Sequence, residues 1–208
     1  MKRLISFLVL FLSCLLCCAQ VTIEKCDTIL KEACYTSYYS RKILGPSFVV
    51  YKLYKGGGNV DRKGMTFSSK FPHFSYSKSG YDKGHLCPAE DFAYNMKLER
   101  STFKYYNAVP MSKSLNRGRW ERYENQVRKL SQTDSLLIIC GGCNYDKLIP
   151  KNCFKIVYSL STGKVIFALL FSNNEGVIEV KECTDLEKYF KFCLSCPSKF
   201  LFVDNNIN

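Results

Sequence analysis

Asp82-Lys83-Gly84-His85-Leu86-Cys87-Pro88-Ala89-Glu90-Asp91-Phe92 decides how this chain is read. Tyr81 to Leu86 reads as extended backbone, and Pro88, which has no N–H to offer a partner strand, ends it. A second stretch belongs with it: Asn116-Arg117-Gly118-Arg119-Trp120-Glu121-Arg122-Tyr123-Glu124, with Arg128 four residues on. There Trp120, Tyr123, Val127 and Leu130 recur at steps of three, four and three, the spacing of one buried helix face. A helix is therefore predicted over 118–130, with Glu124 and Arg128 as neighbours on its surface. His85 is one of two histidines, so imidazole chemistry near neutral pH rests on His85 or His73. His73 sits between Pro72 and Phe74 with no acidic or amide side chain nearby, and reads as structural or solvent-facing.

Outside these stretches the pattern is mostly that of strands. In Ser47 to Tyr54, Val49, Tyr51 and Leu53 point one way while Phe48 and Val50 point the other. Ser135 to Cys140 is a continuous apolar run, turned by Gly141-Gly142. Cys153 to Leu160 and Lys164 to Phe171 are joined by a hairpin at Ser161-Thr162-Gly163. A further short strand is expected at Val177 to Val180, a helix over 90–106 and a short helix over 186–193. Residues 20–45 show no clear element, and 59–80 and 107–115 read as loops. Strands adjacent in sequence, with helices clustered between 90 and 130, indicate an α+β fold: a central antiparallel sheet flanked by helices.

The first 19 residues begin with Lys2 and Arg3, continue as an apolar run from Leu4 to Leu16, and end in Cys17-Cys18-Ala19. That is the layout of a secretory signal peptide cleaved after Ala19. It leaves 20–208 as a single domain with a sizeable core, secreted or periplasmic. The apolar run is too short for a good membrane span, and no later segment is long enough. A lipoprotein acylated at Cys17 or Cys18 ranks second, because Leu15 and Leu16 stand where small residues are expected; a retained anchor ranks third.

The chain has 30 basic against 18 acidic side chains, and without Lys2 and Arg3 the formal charge is +10. A basic exported domain points to an anionic partner such as nucleic acid, an anionic surface or an acidic glycan, or to solubility alone. Nine cysteines follow the N-terminal segment: Cys26, Cys34, Cys87, Cys140, Cys143, Cys153, Cys183, Cys193 and Cys196. Export makes disulfides their default use, with an odd thiol left over. The pairs Cys140/Cys143 and Cys193/Cys196 have zinc-site spacing, but this use, like a redox use of Cys140/Cys143, ranks well behind disulfides.

Hydrolysis of a phosphodiester requires a base for water, positive charge on the phosphoryl oxygens and stabilisation of the leaving alkoxide. A hard divalent cation on oxygen ligands supplies the last two. His85 has a usable pKa for the first. Asn116 offers an amide oxygen, Glu124 a carboxylate for a metal-bound water, and Lys83, Arg117, Arg119 and Arg128 can meet phosphates. Taken singly these residues read blandly: a turn at Asp82–His85, a helix cap at Asn116, a surface ion pair at Glu124–Arg128.

Together they resemble the DNA/RNA non-specific endonucleases, the ββα-metal (His-Me finger) nucleases that include endonuclease G. The family's signature is Asp-Arg-Gly-His followed by Leu-x-Pro-Ala and an acidic-aromatic pair, matched here by Asp82 to Phe92. Asn107, Pro110, Asn116, Trp120, Glu124 and Arg128 stand at the family's further offsets. Downstream, an apolar strand with Gly-Gly and then Ile149-Pro150 leading to Phe154-Lys155 also look like the family, so the resemblance spans about Val49 to Phe190. It implies that His85 is the general base and that Asn116 is the direct ligand of one Mg²⁺ or Mn²⁺. It further implies that Glu124 holds the hydrated ion, and that Asn107 and Arg128 support the site and the phosphate. Asp82, Arg117 and Arg119 complete the candidate set. Arg62 is the candidate for the family's upstream arginine. The implied substrates are DNA and RNA, cut to leave 5′-phosphate ends. One departure stands out: Lys83 replaces the signature arginine, keeping the charge but losing the bidentate fork. Two other readings stay open, a nuclease scaffold that binds polyanions without cutting and a disulfide-rich surface domain with an incidental site.

Overall fold

The computed structural model describes residues 21–176 and the backbone of 180–182. The N-terminal segment 1–19, the expected helix over 186–193, and Cys183, Cys193 and Cys196 lie outside the described residues. The chain forms β1 (Thr28–Lys31), β2 (Thr36–Ser40), β3 (Gly45–Leu53), β4 (Asp82–His85), α1 (Met96–Ser101), β5 (Ala108–Met111), α2 (Glu121–Leu130), β6 (Leu136–Asp146), β7 (Ile149–Ser159), β8 (Val165–Ser172) and β9 (Val180–Glu182). Seven strands make one antiparallel sheet in the order β1-β2-β3-β6-β7-β8-β9, while β4 and β5 pair separately. The fold is the expected α+β, with a mostly antiparallel sheet.

The large sheet is buried on both faces, and strand alternation sorts its side chains into two cores. Val49, Tyr51 and Leu53 of β3, with Leu136, Ile138 and Cys140 of β6, face one core. Phe48 and Val50, with Leu137, Ile139 and Cys143, face the other. The alternation expected for β3 is therefore the one observed. The first core is capped by Val127 of α2 and by Trp120 just before it, and by Val109 and Met111 of β5 with Leu86 just after β4. That contact seats the two-stranded β4–β5 pair and the helix on the sheet, and everything discussed below hangs on it.

Several expected elements differ, each for a local reason. The helix expected over 90–106 is broken into a 3₁₀ turn at Ala89–Phe92, the short α1 and a second 3₁₀ turn at Tyr105–Asn107. Asn95 restarts it as an N-cap, its side chain accepting from the backbone N–H of Lys97 and Leu98. The helix expected over 118–130 begins earlier, because a π-helical turn at Leu115–Trp120 leads into α2. β1 and β2 fall where no element was expected. The buried β2 reads Thr-Ser-Tyr-Tyr-Ser, and its apolar content is in tyrosine rings rather than aliphatic residues. The hydroxyl of Tyr39 donates to the carbonyl of Pro72 at 2.7 Å, so the ring is buried without orphaning its oxygen. β5 forms inside the expected 107–115 loop, with Pro110 opposite Lys83.

Gly141-Gly142 does not turn the chain. β6 runs straight through both, paired with Phe154 and Cys153 of β7. A Cβ on Gly141 would lie 2.3 Å from the carbonyl oxygen of Ser47, and one on Gly142 would lie 2.4 Å from the hydroxyl of Tyr145. The pair serves close packing rather than reversal. The Ser161–Gly163 hairpin forms as expected, with Gly163 at φ 67°.

Cys26, Cys34, Cys87, Cys140 and Cys153 are thiols in this structure, so the expected disulfides are not formed among them. Burial pushes the Cys87 and Cys153 thiols well up and the Cys140 thiol to about 12, which makes them inert hydrophobic residues. Cys140 and Cys143 face opposite cores, so they cannot grip one zinc ion from the same side of β6. Among the described residues no helix is long and apolar enough to cross a membrane.

Gly141→Ala is expected to destabilise the protein by about 1–3 kcal/mol through overpacking against β3, read from the midpoint of denaturant unfolding. Gly163→Ala, which meets nothing within 4 Å but holds a positive φ, is expected to cost less.

Candidate active site

β4 ends at His85, and the backbone around it is held from three sides. β4 pairs with β5 from Asp82–Met111 to His85–Ala108. Gly84 lies between them because a Cβ there would meet the Met111 side chain at 2.7 Å. Beyond the last pair, the buried Asn107 extends the ladder. Its backbone carbonyl accepts from Leu86 N–H at 2.9 Å, its Oδ1 accepts from Cys87 N–H at 2.9 Å, and its Nδ2 donates to the Cys87 and Thr102 carbonyls. Trp120 Nε1 donates to the His85 carbonyl at 3.1 Å, tying β4 to the π-helical turn.

A cavity of about 200 Å³ lies over this junction. Arg62, Lys83, His85, Asn116, Arg117, Glu124 and Arg128 all line it, joined by Glu90 and Glu121. Residues 66 positions apart in sequence thus share one wall. Lys83 and His85 reach it together because alternate residues of a strand share a face. Asn116 sits in the π-helical turn, an irregularity often found at functional sites. Glu124 and Arg128 project from α2 one turn apart.

Asp82 does not line this cavity but sets two of its members. It accepts from Arg117 Nε at 2.8 Å and Arg117 Nη2 at 2.9 Å, a bidentate pair, and from Asn116 Nδ2 at 3.1 Å. These contacts hold the Asp82 carboxyl below its usual range, with the Arg117 hydrogen bond the largest cause. With Nδ2 committed to Asp82, the amide oxygen of Asn116 is oriented away from that carboxylate. Arg128 donates to the buried Asp91 at 2.8 Å and to Asn125 at 2.6 Å, and lies 3.7 Å from Glu90. Its partners are therefore Asp91 and Glu90 rather than Glu124. Arg62 lies 3.4 Å from Glu90, both half exposed, and reaches the cavity rim.

Two pKa shifts mark the cavity. Burial, then the Arg62 charge, pushes His85 down to about 4, so its imidazole is neutral at neutral pH. Its ring packs against Phe67 at 4.8 Å and Phe103 at 5.1 Å, and its buried Nε2 has no hydrogen-bond partner in the protein. Burial pushes Glu124 up to about 7, opposed mainly by Lys155.

Not every candidate reaches the cavity. Asn107 spends its polar atoms on backbone and cannot meet a phosphate. Arg119, half-buried on the π-helical turn, lines neither this cavity nor its neighbour. His73 is exposed and stacks on Tyr105.

The profile of the DNA/RNA non-specific endonuclease family matches residues 18–197. The chain belongs to that family. It is similar to a nuclease of Nostoc sp., 32% identical over 95 residues that make up 42% of this chain and 35% of that protein. A salivary endonuclease of Lutzomyia longipalpis is 29% identical over 51% of this chain and 26% of that protein. Mitochondrial endonuclease G of Bos taurus is 28% identical over 53% of this chain and 40% of that protein. The chain thus spans between about a quarter and two fifths of the length of these curated relatives. A chain in the crystal structure of the EndoG/EndoGI complex shares the fold, with a TM-score of 0.67 at 20% identity over 78% of this chain and 83% of that one.

The donors of this endonuclease-family chain suit a hard cation held by few protein ligands. Asn116 offers an amide oxygen whose partner nitrogen is already fixed, and Glu124 offers a carboxyl whose pKa burial raises to about 7 against the opposing charges of Lys155 and Arg128. Among the described residues no group of three or more His, Cys, Asp and Glu gathers, so the oxygen donors on offer at this cavity are an amide and carboxylates rather than a closed cage.

Two functional neighbours escaped the sequence reading. Asp91 was legible only as part of a signature string, yet it is wholly buried and carries Arg128 and the Tyr51 hydroxyl, which donates at 3.0 Å. Lys155 is fully buried on β7, with Nζ 4.2 Å from the Trp120 ring centroid, and its charge is the chief one opposing the upward shift of Glu124. A lysine between Phe154 and Ile156 in a two-faced buried strand was the available signal.

Arg128→Met is expected to cost about 3–5 kcal/mol, because it strands the Asp91 carboxylate in the core, and Asp91→Leu added to it is expected to recover much of that loss. Both are read by denaturant unfolding. For His85, the unfolded chain takes up the proton near the usual 6.5 and the folded one only near 4, so stability falls as pH drops between those values. Relative to the wild type, His85→Gln is expected to remove a slope on the order of 2 kcal/mol across that window.

Proposed function

We propose that this chain is an exported, metal-dependent endonuclease that hydrolyses phosphodiester bonds of DNA and RNA with little sequence specificity. The observation that carries the reading is the single cavity onto which His85, Asn116 and Glu124 open, ringed by Arg62, Lys83, Arg117 and Arg128. Export, to a periplasm or the medium, rests on the layout of residues 1–19.

In this reading the neutral imidazole of His85 takes a proton from the attacking water. Its low basicity keeps it unprotonated well into the acid range. Asn116 through its amide oxygen and Glu124 through its carboxylate would hold Mg²⁺ or Mn²⁺. Such a cation, when bound, supplies charge for the phosphoryl and leaving oxygens. Arg62 and Arg128, both near Glu90, and Lys83 and Arg117 line the same cavity and would meet the phosphate. Their charges are placed before substrate arrives, which is where electrostatic stabilisation gains most. All of these contacts address phosphate and none reads a base edge, so DNA and RNA are equivalent to them.

The test is cleavage of supercoiled plasmid and of single-stranded RNA by purified protein, with Mg²⁺ and with excess EDTA. Cutting of both substrates is expected with metal and none with EDTA. His85→Ala and Asn116→Ala are each expected to lose at least about 10²-fold in rate while keeping the wild-type circular dichroism. A folded wild type that cuts neither substrate but retains DNA in a shift assay would favour the binding-module reading instead.

A further inference from the structure

Beside the catalytic cavity, and sharing Lys83, Asn116 and Arg117 with it, lies a larger trough of about 730 Å³. Its wall takes His73, Ser75, Tyr76 and Ser77 from the 59–80 loop and Tyr105 from the 3₁₀ turn before β5, none of which the phosphate chemistry uses. The rings of His73, Tyr76, Tyr81 and Tyr105 line it. Tyr105 is the centre of this group. His73 stacks on it at 3.7 Å with only 4° between the planes, and Tyr76 lies 5.8 Å away at 27°. Phe67 bridges back to the site, 5.5 Å from Tyr105 and 4.8 Å from His85. Lys83 Nζ lies 5.3 Å from the centroid of Phe67 and 5.7 Å from that of Tyr105. An aromatic row therefore leads from the catalytic histidine into the trough, with cations only at its catalytic end.

We propose that this trough is a nucleobase subsite that takes an unpaired base of the nucleotide next to the scissile phosphate; the proposal rests on the endonuclease reading of the adjoining cavity. The charge pattern decides the occupant. Lys83 and Arg117 sit where the two spaces meet and suit a phosphate, while the exposed outer face of His73, backed by Tyr105, suits a flat, neutral ring. The volume is ample for a nucleoside. Stacking tolerates all four bases because each has a π face, so the subsite adds affinity without adding sequence preference. A base paired inside a duplex presents its edge rather than its face, and must leave the helix to enter. The subsite therefore favours single strands and locally opened duplex.

His73→Leu, which removes the face the base would meet, and Tyr105→Leu, which removes the ring that backs it, test this, since leucine keeps apolar bulk at each position. Three substrates are compared: a single-stranded DNA 12-mer, its duplex, and a 12-mer of the same backbone with tetrahydrofuran in place of every base. Each variant is expected to raise KM on the single strand about tenfold, with far less change in kcat, to narrow the gap between single strand and duplex, and to leave KM on the base-free strand unchanged. An equal rise in KM on the base-free strand, or a change confined to kcat, overturns the proposal. Binding of the labelled 12-mers in EDTA separates this proposal from the reading beneath it. Even a protein that cuts nothing is expected to prefer the base-bearing strand by about tenfold, and to lose that preference in the variants. Equal affinity of the wild type for both strands overturns the subsite whether or not cleavage occurs. If Tyr105→Leu does not fold, the exposed His73→Leu carries the test alone.

Discussion

Asp91 is a carboxylate with no exposed surface, six residues beyond His85. An ionised group in that position must be compensated, and its two partners come from two other parts of the fold. The Tyr51 hydroxyl belongs to β3 of the large sheet, and the Arg128 guanidinium belongs to α2. Burial nevertheless raises the Asp91 pKa, with Arg128 the strongest opposing influence. One side chain thereby links the large sheet, the 3₁₀ turn after β4 and α2. Arg128 then turns its other edge toward Glu90, which also meets Arg62. The rim of the candidate active-site cavity, where Arg62, Glu90 and Arg128 meet, is thus braced from beneath.

The same economy governs the other cations. Arg117 is clasped by Asp82, Arg62 leans on Glu90, and Lys83 rests near two aromatic rings. Each is restrained before any anion arrives, so less side-chain entropy remains to be lost on binding. The basic balance of the whole chain, by contrast, says only that anions are attracted. It is the acidic partners, read in space, that separate a built site from a solvated basic surface.

How much of this was legible in the sequence follows from the length scale of each signal. The helix carrying Glu124 and Arg128 was readable because Trp120, Tyr123, Val127 and Leu130 mark its buried face within eleven residues. β3 was readable because its two alternating sets are both apolar. β2 was not, since serine, threonine and tyrosine hide burial behind hydroxyls whose partners are distant in sequence. Gly141-Gly142 was misread as a turn because a glycine needed for clearance and one needed for reversal look alike until the neighbouring strand is placed. The gathering of His85, Asn116 and Glu124 could be anticipated from motif spacing. The linkage of Asp82 to Asn116, and of Asp91 to Arg128, could not, because each crosses more than 30 residues with no periodic signature.

Trp120 is the one tryptophan in the chain. It is buried where β4, α2 and β7 meet, with its indole nitrogen on the His85 carbonyl, Lys155 near its face, and Phe171 edge-on at 5.3 Å. Indole emission is sensitive to nearby charge and to local water. The protein therefore carries a built-in fluorophore beside the candidate active site, against a background of tyrosines that can be avoided by excitation at longer wavelength. Ion binding, substrate docking or loosening of α2 would each register in one intrinsic signal, with no label attached.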